Sequence, residues 1–197
     1  MGYTEWPNRL SCALARFIDQ NEMNEILDGC DRLPEMNEKD KAQWVTQAIA
    51  KLDRHVPEQQ DRIEIMTECS CRCWTDIIDE LKAEYKRTGD IDELINIMHG
   101  RVFINRPQRQ DNIVYITKVP RFPEEHARAV TREEKKYYYC HCDYARAANG
   151  NLSSTYCLCG AGWCKTIWEQ ILGRPIQVDV LESVLLGGEV CKFAVYL

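Results

Sequence analysis

The chain has 197 residues, 45% of them hydrophobic and 28% charged, a profile that excludes collagen-like repeats and disorder and leaves a globular fold with a real core. A formal charge of −6 argues against a general nucleic-acid binder, and no apolar run approaches the length of a membrane span or a secretory leader. The expectation is a cytoplasmic protein with neither nucleic-acid nor membrane partners, in which 11 cysteines point to metal binding or thiol chemistry before disulfides.

Residues 1–100 carry 12 basic and 21 acidic side chains, whereas 101–197 carry 13 and 10. The hydrophobic period changes at the same place, which predicts a helical half over 1–100 and an α/β ligand-binding half over 101–197, in one compact unit. Leu10, Ala13, Leu14, Phe17 and Ile18 recur at helical spacing after Pro7-Asn8. Met23, Ile26, Leu27 and Cys30 form a short second stripe, and Trp44, Val45, Ala48, Ile49 and Leu52 a third that ends near His55. Pro57 is placed in the first turn of a helix leading to Ile63 and Met66. Trp74, Ile77, Ile78, Leu81 and Tyr85 make the clearest amphipathic helix, and Asp90 with Glu93 caps another over Ile91–Met98, stopped by Gly100.

Beyond residue 100 the pattern reads as strands. Val102–Ile104 and Ile113–Ile116 form an expected hairpin around the polar loop Arg106–Asn112. Tyr137–Cys142 is aromatic and is expected to be extended. A helix over Trp163–Leu172 ends at Gly173, and Ile176, Val178 and Val180 alternate as a half-buried strand. Gly187-Gly188 turns into a last strand over Val190–Leu197. The fold class is α+β: helices packed on a mainly antiparallel sheet with a C-terminal helix and hairpin.

The cysteines fall into three clusters, Cys69-Ser-Cys71-Arg-Cys73, Cys140-His-Cys142 and Cys157-Leu-Cys159, with Cys164 close behind the last and Cys12, Cys30 and Cys191 standing alone. In extended backbone, residues i and i+2 point to one side. Cys140 with Cys142, and Cys157 with Cys159, would then each present two sulfurs, and together four thiolates suit Zn²⁺ or an iron–sulfur cluster. The C-x-C step departs from the C-x₂₋₄-C of common zinc ribbons. Cys12, Cys30 and Cys191 read as small core residues, and the Cys69 cluster fits either role. A second reading is nucleophilic or redox chemistry at Cys159 or Cys164, which flank the start of the Trp163 helix with Lys165 near and His141 as the base. Tyr138, His141, Trp163 and Arg146 are the residues expected to line a small-molecule site. A homodimer is left open.

The segment from Tyr138-Tyr-Cys-His-Cys to Gly173-Arg-Pro175 and on to Ser183-Val-Leu-Leu-Gly187-Gly-Glu-Val-Cys191-Lys-Phe193 resembles the aminothiazoline-carboxylate hydrolase-like proteins and the related vinyl-reductase-type small-molecule-binding domains. The likeness covers roughly the last third of the chain and suggests a cysteine-rich subgroup. It implies an α/β fold with a pocket between helices and sheet. Some relatives hold zinc through cysteines of the final hairpin and an upstream acid; this chain keeps Cys191, with Ser183 at the other cysteine position and Val180 at the acid. The functional expectation is a metal-binding protein with a small-molecule pocket, in a binding or sensing role. The alternative is a hydrolase of a small C–N or C–S substrate such as a thiazoline carboxylate.

Overall fold

A computed structural model describes residues 5–70, 75–99, 104–148 and 151–197. The expected starts at Trp74 and stop at Gly100, and the strand Val102-Phe103, lie outside those residues, as do Cys71 and Cys73. The chain is α+β, and it divides into two units that alternate along the sequence: Met1–Cys71 with Cys142–Gly162, and Arg72–His141 with Trp163–Leu197. The division therefore does not fall at residue 100.

The first unit is helical. Helix α1 spans Glu5–Leu14, α2 Gln20–Leu27, α3 Glu38–His55, α4 Gln59–Glu68 and α9 Asp143–Ala147, with 3-10 turns over Cys30–Glu35 and Ser154–Leu158. Asp19 opens α2 with a reciprocal capping box to Glu22, and Asn37 accepts from the Asp40 amide at the start of α3, satisfying amides that no helical carbonyl can reach. Pro34 sits inside the first 3-10 turn. Pro57 precedes α4 instead of entering its first turn, and Glu58 is the cap residue. The expected stripes of α1 and α3 point inward: Leu10, Leu14, Ile49 and Leu52 are fully buried. Trp6 stands edge-on to Trp44 at 6.1 Å, and the Trp44 indole donates to the Asp28 carbonyl at 2.7 Å.

The second unit holds α5 (Thr75–Thr88), α6 (Ile91–Met98), α7 (Pro123–Arg128), α8 (Arg132–Tyr139) and a four-stranded antiparallel sheet. Strands β1 (Gln108–Gln110), β2 (Ile113–Thr117), β3 (Gln177–Glu182) and β4 (Lys192–Tyr196) lie in the order β1-β2-β4-β3. The N-terminal hairpin is tighter than expected. Its first strand comes from within the supposed polar loop, with Gln110 opposite Ile113 across a two-residue turn where Asp111 takes φ 53°, a left-handed value that Asp tolerates. Ile104 makes one bridge to Lys118. In the sheet centre Val114 pairs Val195 and Ile116 pairs Phe193, and all four are buried. A register shift between Val180 and Glu182 bulges β3 at its end, a device that blunts a sheet edge.

Two expectations are corrected here. Tyr137–Cys142 is not a strand: residues 137–139 end α8, because Thr131 and Glu134 form a full capping box at its start and the Arg, Glu and Lys residues of its first five positions are good helix formers. The last helix, α10, spans Cys159–Leu172, four residues longer at its start than expected, and ends at Gly173 in the left-handed region (φ 67°). No helix among the described residues is long and apolar enough to cross a membrane.

Candidate thiol site

The first unit carries Cys142, Cys157 and Cys159, whereas Cys140, Cys164 and Cys191 belong to the second. Cys142 is the cap residue that opens α9 and Cys140 the one that closes α8, both in extended backbone. The Cys142 thiol donates to the Tyr156 hydroxyl at 3.3 Å, so Cys142 lies beside the 3-10 turn that carries Cys157. The Tyr156 ring is itself buried, 6.0 Å from the ring of Trp6. At the next step along the chain, α10 comes very close to the end of α4. A Cβ built on Gly162 would stand 2.7 Å from both the Thr67 carbonyl carbon and Ser70 Cβ, and nearer still to the Thr67 oxygen. Glycine alone permits that approach. Cys69 closes α4 at this same end, fully buried.

The pair Cys157 and Cys159 differs from its expected geometry. Cys157 is in the 3-10 turn and Cys159 begins α10, and in helical backbone residues two apart lie roughly 200° apart around the axis. They do not share one side as strand residues would. Both are half-buried, as is Cys142, while Cys140 is buried. Among the described residues no three His, Cys, Asp or Glu side chains are gathered so as to hold a metal ion. The thiols stand on converging segments and do not form a finished ligand shell.

The segment before Cys157 is tied down by a polar cluster. Asp53, in the last turn of α3, accepts hydrogen bonds from the hydroxyls of Ser153 and Thr155, each at 2.6 Å. Arg62 of α4 approaches the same carboxylate at 3.5 Å and donates to the carbonyls of Val56 and Pro57, both at 2.7 Å. Sequence reading missed this cluster. Its one local signal is a carboxylate in a C-terminal helical turn, where the helix dipole disfavours negative charge.

The residues expected to line a small-molecule site are distributed over both units. Tyr138, His141 and Trp163 belong to the second and Arg146 to the first. Tyr138 packs edge-on against Phe122 at 6.4 Å. His141 places Nε2 at 2.7 Å from the Val119 carbonyl, which makes that nitrogen the N–H donor. Lys118 lies 4.7 Å above the Trp163 ring, and Arg146 pairs with Asp143.

The single cysteines are not alike. Cys12 is exposed, which corrects its assignment to the core. Cys191 precedes β4, and burial raises its pKa, against hydrogen bonds from the Val184 amide and the Ser183 hydroxyl. Val180 faces Phe193 across the sheet, so the upstream position of the hairpin zinc arrangement is filled by sheet packing. Cys69 and Cys164 are both pushed up to about 12, chiefly by desolvation. These are protonated thiols at neutral pH, inert toward electrophiles.

An alkaline prediction follows for Cys164. Its folded pKa is raised from 9.0 to about 12, so the folded state keeps a proton that the unfolded chain releases. The resulting stability is complete below pH 9 and is lost as pH rises toward 12. Thermal melts of Cys164→Ala should start lower than the parent at pH 8 and decline less steeply through that window. Parallel declines in parent and variant would contradict it.

Residues 131–197 match the family described as Family of unknown function (DUF6144). Neither a curated protein nor a solved structure matches the chain. Over that final stretch, the chain is similar to a family to which no activity is attached.

Proposed function

We propose that this protein binds a thiophilic metal, Zn²⁺ or the iron of an iron–sulfur cluster, through Cys142, Cys157 and Cys159 of the first unit. The set expected from sequence adds Cys140, two residues before Cys142. The observation that supports this reading is the Cys142–Tyr156 hydrogen bond. It brings Cys142 against the residue that precedes Cys157, across 14 residues of chain, where core packing alone would be served by Val or Ala. Thiolates are soft donors, and several on neighbouring segments fit zinc or iron in a reducing compartment. Because no three of these groups are preassembled among the described residues, binding would draw the segments together, coupling metal to local order. A binding or sensing role is favoured over hydrolysis, since His141, the base a hydrolase would use, places Nε2 against the Val119 carbonyl.

The test is protein purified without oxygen, examined by elemental analysis and absorption spectrum. Zinc in a colourless protein or iron with a brown absorption is expected at close to one site per chain. Cys142→Ser and Cys157→Ser should each lose the metal and melt at lower temperature, while Cys12→Ala, at an exposed position, should keep it. Full retention in both serine variants, or a parent protein that binds neither metal, would overturn the proposal.

A further inference from the structure

The 3-10 turn Ser154–Leu158 is five residues long, too short to hold its own shape. Yet it carries Cys157 and delivers the chain to Cys159. What holds it must come from elsewhere in the unit. At its downstream end the hold is the bare Gly162 backbone against Thr67; in its middle it is the buried Tyr156. At its upstream end it is Asp53, whose two carboxylate oxygens each take one hydroxyl, Ser153 and Thr155, at 2.6 Å.

Asp53 is a poor choice for α3 considered alone. A carboxylate in the last helical turn meets the negative end of the dipole, whereas its neighbours Arg54 and His55 are the basic residues that position favours. A residue that breaks a local rule and is compensated by partners about a hundred positions away is placed for those partners. Charge-assisted bonds to a carboxylate are also stronger than neutral ones, and Arg62 offsets the charge while stapling the Val56-Pro57 link. The same carboxylate thus joins the end of α3, the start of α4 and the cysteine-bearing turn.

We infer that Asp53 is the positioning residue of the thiol site, setting where Cys157 and Cys159 stand by anchoring Ser153 and Thr155. This rests on the metal-binding reading above, and it makes no contact with the metal itself. Its loss should loosen two particular thiols and leave those of the second unit untouched.

The experiment measures alkylation of each cysteine by peptide mass analysis in metal-free full-length protein, alongside Zn²⁺ titration. In Asp53→Ala, Cys157 and Cys159 should react about tenfold faster while Cys164 and Cys191 keep their parent rates. Zinc affinity should fall by about 10- to 100-fold, the usual effect of removing a group that orients a ligand. Asp53→Asn, which retains an acceptor, should recover part of both effects. Thr155→Val, which removes one donor from the opposite side and keeps the shape, should reproduce a fraction of them if Asp53→Ala does not fold. Unchanged rates at Cys157 and Cys159, or equal acceleration of all cysteines, would overturn the inference. Selective loosening in a protein whose parent binds no zinc or iron would instead sink the metal reading and leave Asp53 as the anchor of the turn.

Discussion

Gly162→Ala should destabilise the first unit by about 3 kcal/mol or more, a value at the upper end for one added methyl in a packed interior. The cause is steric and has no soft partner. The new Cβ would meet the Thr67 carbonyl and the Ser70 Cβ, so two backbones must separate, where a flexible side chain could simply have swung away. Because α10 and the end of α4 would move apart, Cys159 should lose its fixed place as well. Gly173→Ala is the matched control. That glycine has φ 67° with nothing within 4 Å of an added Cβ, so its cost is backbone strain alone, about 1–2 kcal/mol. Urea melts of the two variants should differ clearly, and equal midpoints would show that the close approach is not real.

Trp168→Ala should be the most damaging change in the second unit, at roughly 3–5 kcal/mol. Trp168 is the largest fully buried side chain among the described residues, and its loss leaves a cavity that the neighbouring α10 residues Cys164, Ile167 and Ile171, all buried, can only partly close. For a chain of this size that corresponds to a fall in melting temperature on the order of 10 °C. Trp168→Phe separates volume from polarity. The indole Nε1 has no hydrogen-bond partner among the described residues, so phenylalanine gives up volume and no bond, and should cost less than half as much. A phenylalanine variant as unstable as the alanine one would mean that the N–H is used after all.

Much of the fold was legible because it is carried by period. The stripes of α3 and α6 state which face is buried, and those faces are buried; of the alternating residues around β3, Ile176 and Val178 are buried and Val180 is half-buried. Where packing gives no pattern, reading failed. Strand β1 is Gln108-Arg109-Gln110, exposed throughout; an edge strand with no buried face has no alternation to display. The tyrosines of α8 suit a strand by propensity, but the Thr131–Glu134 capping box decides in favour of helix. At the thiol site the residue types could be read and the backbone could not. The Cys157-Leu-Cys159 step predicts two thiols on one side only in extended backbone, whereas Cys159 already belongs to α10. Asp53, Ser153 and Thr155 could not be joined by any local rule, since the bonds between them span 100 and 102 positions.

The alternation of the two units along the chain has a consequence for the order of folding. The helices of residues 1–71 wait for residues 142–162 before their unit is complete, and during synthesis those later residues emerge only after the first strands of the other unit. The hydroxyls that Asp53 accepts from, and the thiols beyond them, thus leave the ribosome about a hundred residues after the carboxylate they meet. Closing so long a loop is slow more than it is costly, because the entropic penalty grows only with the logarithm of loop length while the search lengthens with contact separation. A proteolytic cut between the two segments of the first unit would turn that closure into the meeting of two separate chains, whose success depends on concentration. Neither unit can be obtained by trimming the protein from one end.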